Sequence, residues 1–127
     1  MTFWRPILNG LFQRKIRTIQ SLRTEIGDLT GGQPILWYQE CLSTFEEFEI
    51  RCLTTRYVIR TEARKRRADI LPLMTIDAVS DSEGTAINFI DKGRTKVIAR
   101  WEGVKGVSKF FNRLARIPDY EGLEGMI

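Results

Sequence analysis

The sequence predicts a mainly β domain of the α+β class, in which an antiparallel barrel or sandwich has a helix at each end. Between residues 35 and 101, strand-forming residues dominate and apolar positions alternate with polar ones. On both sides of this region, apolar residues recur at intervals of three and four, which is the period of a helix. A chain of 127 residues is about the size of one ordinary domain, so we expect a single core.

The first predicted element is an amphipathic helix over Leu11–Leu22. Its apolar residues lie at helical spacing, and basic and polar residues occupy the opposite side. The apolar stripe continues towards the N-terminus as far as Phe3. Turn-forming residues between 27 and 34 predict that the helix ends there and that a hinge follows. We therefore treat residues 1–31 as a separate N-terminal helix and linker.

Strands separated by brief turns make up the middle of the chain, as expected for a barrel or sandwich. The second of them alternates Phe48, Ile50 and Cys52 with Glu49 and Arg51, which predicts one buried face and one face in water. The fourth is long enough to bend around a barrel corner. The predicted strands are Ile35–Cys41, Phe48–Cys52, Tyr57–Thr61, Ala68–Val79, Ala86–Ile90 and Thr95–Trp101.

A second amphipathic helix is predicted over residues 107–117, ending before Pro118, and we expect it to cap the strands. Residues 118–127 contain three acidic residues and two glycines, which predicts a mobile acidic tail. The residues predicted to share one core are Ile50, Ile59, Ile76, Phe89, Val97, Phe110, Phe111 and Leu114.

Three segments resemble the pattern of bacterial pleckstrin-homology-like (PH-like) domains. They are Gly32–Trp37, Leu53–Thr61 and Ile70–Val79. In that pattern a Leu-Thr turn precedes an arginine and an apolar strand, and an Ile-Pro-Leu strand leads into an Ile-x-x-Val continuation. The resemblance covers residues 32–117. It implies a PH-like antiparallel β-barrel capped by a C-terminal helix, used to bind proteins, peptides or lipid head groups.

Catalytic and metal sites have no support in the composition. The chain contains no histidine, so the usual general base and the commonest zinc ligand are missing. Cys41 and Cys52 do not have metal-ligand spacing and are expected to be reduced, packed thiols. No glycine-rich phosphate loop is present. We therefore expect a protein that is not an enzyme, with no catalytic residue, no metal site and no cofactor.

Positive charge is concentrated in the first half of the chain, although the net charge is only +4. Its densest cluster consists of Arg64, Lys65, Arg66 and Arg67, four consecutive cations in a predicted turn between strands. This basic turn could bind an anionic surface, or it could be a solvated turn that protects strand edges. The sequence leaves both interpretations open.

The N-terminal segment is the other candidate contact site, because it mixes large apolar residues with basic ones. Its predicted contact residues are Phe3, Trp4, Leu8, Leu11, Phe12 and Lys15. We expect docking to a larger protein complex, which could itself be membrane-bound, rather than packing of this helix on its own strands. Peripheral binding to anionic lipid is the alternative, and nucleic acid ranks below both. The expected location is cytoplasmic, including the inner face of a membrane, and the oligomeric state is not predicted.

Overall fold

The computed structural model describes residues 16–122 of this chain. These residues form two helices, seven strands and one short 3₁₀ turn. In chain order the elements are α1 (Ile19–Thr30), β1 (Ile35–Leu42), β2 (Phe48–Thr54), β3 (Tyr57–Glu62), β4 (Asp69–Pro72), the 3₁₀ turn (Leu73–Thr75), β5 (Ile76–Ser80), β6 (Ile87–Asp91), β7 (Lys96–Trp101) and α2 (Val107–Ala115).

The strands form two antiparallel sheets with sequential strand order, β1-β2-β3-β4 and β5-β6-β7. This confirms the α+β class and the helix at the C-terminal end. The sheets are not joined into one closed barrel, so the predicted barrel is wrong in that respect. No β ladder connects β4 with β7 in the described part of the chain, and each of these strands has a single strand neighbour.

The chain passes from the first sheet to the second at Pro72, where one long, bent strand was predicted. The 3₁₀ turn Leu73–Thr75 divides that strand into β4 and β5. The Leu73 amide donates to the carbonyl of Arg56 at 2.9 Å, and the Lys92 amide donates to the carbonyl of Thr75 at 3.0 Å. The turn is thus bonded once to each sheet, which fixes the crossing point.

The main core lies between the two sheets and α2 and is built around aromatic rings. Phe110 of α2 is fully buried, and its ring centroid lies 5.2 Å from that of Trp37 and 6.2 Å from those of Phe89 and Trp101. All three contacts are edge-on arrangements, the geometry that aromatic quadrupoles favour. The C-terminal helix is therefore anchored to both sheets at once.

Helix α1 covers the opposite face of the first sheet, which corrects two predictions. The helix continues through Gly27 to Thr30, whereas it was predicted to end at Gly27. It also packs on β2 and β3, whereas it was predicted not to pack on its own strands. Leu22 and Ile26 are buried there against Ile50 and other residues of the sheet. A glycine inside a helix costs only about 1 kcal/mol, which this burial outweighs.

Of the eight predicted core residues, six are buried, but in two clusters rather than one. Ile50 and Ile59 lie under α1, while the other four lie between the sheets. Val97 is 51% exposed, so the prediction is wrong for this residue. Phe111 is only partly buried, at the edge of the main core.

The C-terminal tail is anchored as far as it is described. Tyr120 packs against the main core, and its hydroxyl accepts a hydrogen bond from the Ala78 amide at 3.1 Å. The prediction of a mobile tail is therefore wrong for residues 118–122, while residues 123–127 lie outside the described part.

Candidate interaction site

A charged cleft of about 450 Å³ opens at the end of the first sheet that carries the β1–β2 loop. The loop forms one wall, β2 and β3 form the floor, and the chain just after β7 forms the other wall. The charged residues that line it are Glu47, Glu49, Arg51, Arg60, Glu62, Arg64, Arg100 and Glu102. Equal numbers of acidic and basic residues make the cleft strongly polar without a net charge.

The floor of the cleft is a buried ion network centred on Glu49. The Glu49 side chain is only 1% exposed and pairs with Arg51 on its own strand. Its other oxygen, Oε1, lies 2.7 Å from Nη2 of Arg60, and that same nitrogen lies 2.8 Å from Oε2 of Glu62. The network forms because the register places Glu49 opposite Glu62 and Arg51 opposite Arg60, so all four share one face.

This network corrects the prediction that Glu49 and Arg51 face water. Helix α1 covers the apolar face of β2, and the second sheet lies over the other, so both faces of the strand are buried. The Arg51 guanidinium carbon lies 5.8 Å from the ring centroid of Trp101, which places it against the second sheet. A cation over an indole face is an attractive arrangement. The available signal was the alternation of glutamate and arginine along one face of both strands, Glu49 and Arg51 on β2 and Arg60 and Glu62 on β3.

Two buried nitrogens of the network, Nη1 of Arg51 and Nε of Arg60, have no hydrogen-bond partner within residues 16–122. A buried donor without a partner costs about 1 to 3 kcal/mol. Both arginines line the cleft, and these two donors are buried in its floor.

The charge of Glu49 depends on its arginine partners. Burial acts to raise the pKa of Glu49, but the hydrogen bond from Arg60 and the positive charge of Arg51 outweigh it. The pKa of Glu49 therefore lies below its ordinary value of 4.5. A carboxyl with a lower pKa in the folded state stabilises the fold above its unfolded pKa. That contribution is lost as the pH falls through the folded pKa.

We expect the substitution Glu49→Gln to reduce stability most at neutral pH, because it removes a charge that only the deprotonated carboxyl carries. The difference in the free energy of unfolding between parent and variant should narrow as the pH falls below 4.5, the ordinary pKa of a glutamate side chain. Urea unfolding at about pH 7 and about pH 3 measures it. Glu102→Gln, at an exposed position of the same cleft, is the control and should change stability by less than about 0.5 kcal/mol. A difference for Glu49→Gln that does not vary with pH would contradict the assignment.

Exposed apolar residues lie at and beside the rim of the cleft. Leu42 and Phe45 line it, and Phe48 is the cross-strand partner of Leu42 in the β1–β2 pair. All three are exposed, Phe45 to 65%. The loop is folded around Ser43, whose hydroxyl oxygen accepts from the amide of Phe45 at 3.2 Å and from that of Glu47 at 3.4 Å. These bonds hold Phe45 at the tip of the loop. Three large apolar side chains are thus presented together at one end of the molecule, and we call them the apolar rim.

The four residues of the predicted basic turn lie in different surroundings. Arg64 belongs to the cleft: its Nε lies 2.7 Å from Oε2 of Glu47, and its guanidinium carbon lies 4.5 Å from the ring centroid of Phe45. Lys65 pairs with Asp69 at 2.8 Å. Arg66 and Arg67 are exposed and have no ion pair among the residues that the structure describes. The four cations therefore do not form one site.

The predicted N-terminal contact residues, Phe3, Trp4, Leu8, Leu11, Phe12 and Lys15, lie outside the described residues. The chain enters the described fold near the apolar rim. The Arg17 amide donates to the carbonyl of Ala63 at 2.9 Å, and the Ala63 amide donates to that of Phe48 at 2.9 Å. The segment that holds the predicted contact residues therefore joins the fold next to this rim.

Both cysteines are free thiols, as predicted. Cys52 is buried under α1, and burial raises its pKa to about 12. Burial also raises the pKa of Cys41. Such thiols are inert, because the thiolate is the reactive form. Within residues 16–122, no group of histidine, cysteine, aspartate and glutamate residues could hold a metal ion.

Comparisons with protein-family models, with curated proteins and with solved structures give no match. In the described part of the chain, neither helix has the length and apolar character needed to cross a bilayer. Function is therefore inferred from the residues and their geometry.

Proposed function

We propose that this protein is a non-catalytic interaction module that docks to a larger protein complex, including one attached to a membrane. The observation that carries the proposal is the apolar rim of Leu42, Phe45 and Phe48 beside the charged cleft. Three large apolar side chains grouped in water are unfavourable for an isolated molecule and are typical of a surface that a partner covers.

The composition of this surface favours a protein partner. Aromatic residues and arginine are enriched where proteins contact each other, and apolar anchors surrounded by polar groups dominate binding energy. Here Phe45 supplies an anchor with the Arg64 guanidinium over its ring. The charged side chains that line the cleft supply polar groups beside this anchor. Apolar contact and polar complementarity are thus available side by side.

The PH-like resemblance supports the same function. Seven sequential antiparallel strands followed by one C-terminal helix are consistent with that arrangement, and the family's role is binding rather than catalysis. We include the N-terminal contact residues in the proposed docking surface, because their segment joins the fold next to the apolar rim. Membership of the family remains part of the proposal.

Binding to anionic lipid is the second candidate, and one observation favours it. Arg66 and Arg67 are exposed and have no ion pair among residues 16–122, so their charge is available to an anionic surface. Cations near an anionic membrane each contribute about 1 kcal/mol of attraction. Binding of this kind weakens as salt rises, because exposed charges are screened.

We expect Phe45→Ser to weaken association with the native partner at least about tenfold, a loss of about 1.4 kcal/mol. Stability should change by less than about 0.5 kcal/mol, because the side chain is exposed. The matched control is Met74→Ser, because Met74 is 88% exposed and lies on the 3₁₀ turn, away from the cleft. Copurification from the native source, followed by affinity measurement, provides the readout.

Two outcomes would contradict the docking surface. Equal effects of Phe45→Ser and Met74→Ser would show that the apolar rim is not a specific contact. Binding to phosphatidylserine vesicles that falls with salt and is lost in an Arg66→Ser, Arg67→Ser variant, with no effect of Phe45→Ser, would favour the lipid candidate.

A further inference from the structure

We propose a second binding site at the open seam between β4 and β7, which adjoins the charged cleft at Arg60. The seam would take an extended, acidic and apolar peptide segment of a partner protein, which adds as a strand to the free edge of β7. It is a cleft of about 450 Å³ lined by β4, β7 and the floor of β3. The inference goes beyond the docking surface proposed above and does not depend on the apolar rim.

The first observation is that the seam lies where two strand edges are unpaired. β4 is bonded only to β3, and β7 only to β6. Ile70 and Leu71 of β4 and Ile98 and Ala99 of β7 line the same cleft, so both edges meet in it. Unpaired backbone donors and acceptors along a strand edge form a template for a further strand.

The remaining two sheet edges, β1 and β5, each have a contact from elsewhere in the chain. Helix α2 contacts β1, with the ring of Phe110 against that of Trp37. On β5, the Tyr120 hydroxyl accepts the hydrogen bond of the Ala78 amide. Covering by other parts of the chain is one way in which proteins protect sheet edges. Within residues 16–122, the seam is distinguished by two unpaired strand edges on one cleft.

The side chains of the seam indicate the chemistry of the added segment. Val97, Ile98 and Ile70 are exposed apolar residues along the two edges and suit apolar side chains on the incoming strand. The charged residues that line the cleft itself are Arg60, Lys65 and Asp69, and Lys65 pairs with Asp69. Beside the cleft, Lys96 begins β7, and the exposed Arg66 and Arg67 precede β4. None of these three cations has an ion pair within the described residues. Acidic residues on the segment would complement them.

The same charges argue against a second copy of this chain as the occupant. β7 carries Lys96 and Arg100, so antiparallel pairing of two copies about Ile98 would place Lys96 opposite Arg100, and like charges on paired strands are destabilising. A lipid surface would not use the unpaired backbone groups. A single acidic strand can both hydrogen-bond to the free backbone edge and form ion pairs with the cations.

The test uses a six-residue peptide of alternating glutamate and valine as the probe, with the full-length protein. We expect the peptide to slow hydrogen exchange of β7 amides at about 1 mM, the range of a weak single-strand contact. Two control peptides isolate the mechanism. One carries N-methyl groups on alternate amides and cannot extend a ladder, and the other has lysine in place of glutamate. Both should give no protection.

A protein variant provides the second arm. Ile98→Glu should weaken peptide binding about tenfold, because it removes an apolar contact and places a negative charge against the glutamates of the peptide. Its matched control is Ile35→Glu, because Ile35 and Ile98 are both strand residues that are 45% exposed, and Ile35 lies away from the seam. Thermal unfolding of both variants shows whether they remain folded. Equal weakening by the two substitutions would contradict a site on β7.

Absence of protection by the glutamate–valine peptide would overturn the inference, as would equal protection by the N-methylated peptide. Protection of β7 by phosphatidylserine vesicles and not by the peptide would make the seam a lipid contact instead. Failure of the docking surface is distinguishable, since a null effect of Phe45→Ser on partner binding leaves the peptide experiment unaffected.

Discussion

Replacing Phe110 by alanine is expected to lower the free energy of unfolding by about 3 to 5 kcal/mol. The Phe110 ring is fully buried and contacts the rings of Trp37, Phe89 and Trp101 from both sheets. Its removal leaves a cavity at the centre of the main core and also loosens α2, because this residue anchors the helix to both sheets. Urea unfolding monitored by tryptophan fluorescence measures the loss.

The matched control is the adjacent residue of the same helix. Phe111 is only partly buried at the edge of the core, so Phe111→Ala should cost about 1 to 2 kcal/mol. The sequence places both rings on the apolar face of α2, and helical spacing alone does not separate them. Equal losses for the two variants would show that the core extends further around the helix than the structure indicates.

The sheets are the part of the fold that the sequence predicts best, because alternation reports directly which residues share a face. Phe48–Cys52 was predicted from its alternating apolar residues, and β2 begins at the same residue. What alternation does not report is whether the second face is also covered. The pattern therefore predicts that Glu49 and Arg51 face solvent, whereas the second sheet buries them as an ion network. Burial of charge depends on tertiary contacts that a single strand does not encode.

The candidate site was missed for a related reason. The sequence singles out the basic turn because Arg64, Lys65, Arg66 and Arg67 are adjacent, yet the fold separates them, and Arg64 alone lines the charged cleft. The apolar rim comes from a loop whose Phe45 has no periodic neighbours. The seam between β4 and β7 exists only because two sheets fail to close, which depends on the 3₁₀ turn after Pro72.

The N-terminal helix shows how a local signal can be outweighed. Gly27 and the turn-forming residues after it predict a helix end, but the cost of one helical glycine is about 1 kcal/mol. Burial of Leu22 and Ile26 against the sheet is worth about 1.5 to 3 kcal/mol for each side chain. The gain from burying these side chains exceeds the local cost of the glycine, so the helix continues to Thr30.

Deletion of residues 1–30 is therefore expected to abolish cooperative unfolding. It exposes the face of the first sheet that carries Ile50, Cys52 and Ile59, all of which α1 buries. It also removes Glu25, whose carboxylate accepts hydrogen bonds from Arg17 at 2.7 Å and from the Ala68 amide at 3.1 Å. The Ala68 amide loses its hydrogen-bond partner. The contacts of α1 with β2 and β3 are lost at the same time.

Three matched variants localise the effect within residues 1–30. Deletion of residues 1–15 should leave cooperative thermal unfolding intact, because it keeps α1 and the bonds of Arg17 to Ala63 and Glu25. Leu22→Ala should cost about 2 to 5 kcal/mol, as expected for a fully buried leucine, whereas Gln20→Ala on the exposed side of α1 should change stability by less than about 0.5 kcal/mol. A protein that lacks residues 1–30 and still melts cooperatively at an unchanged temperature would show that α1 is a detachable helix, in which case Leu22 and Ile26 would be free to contact a partner.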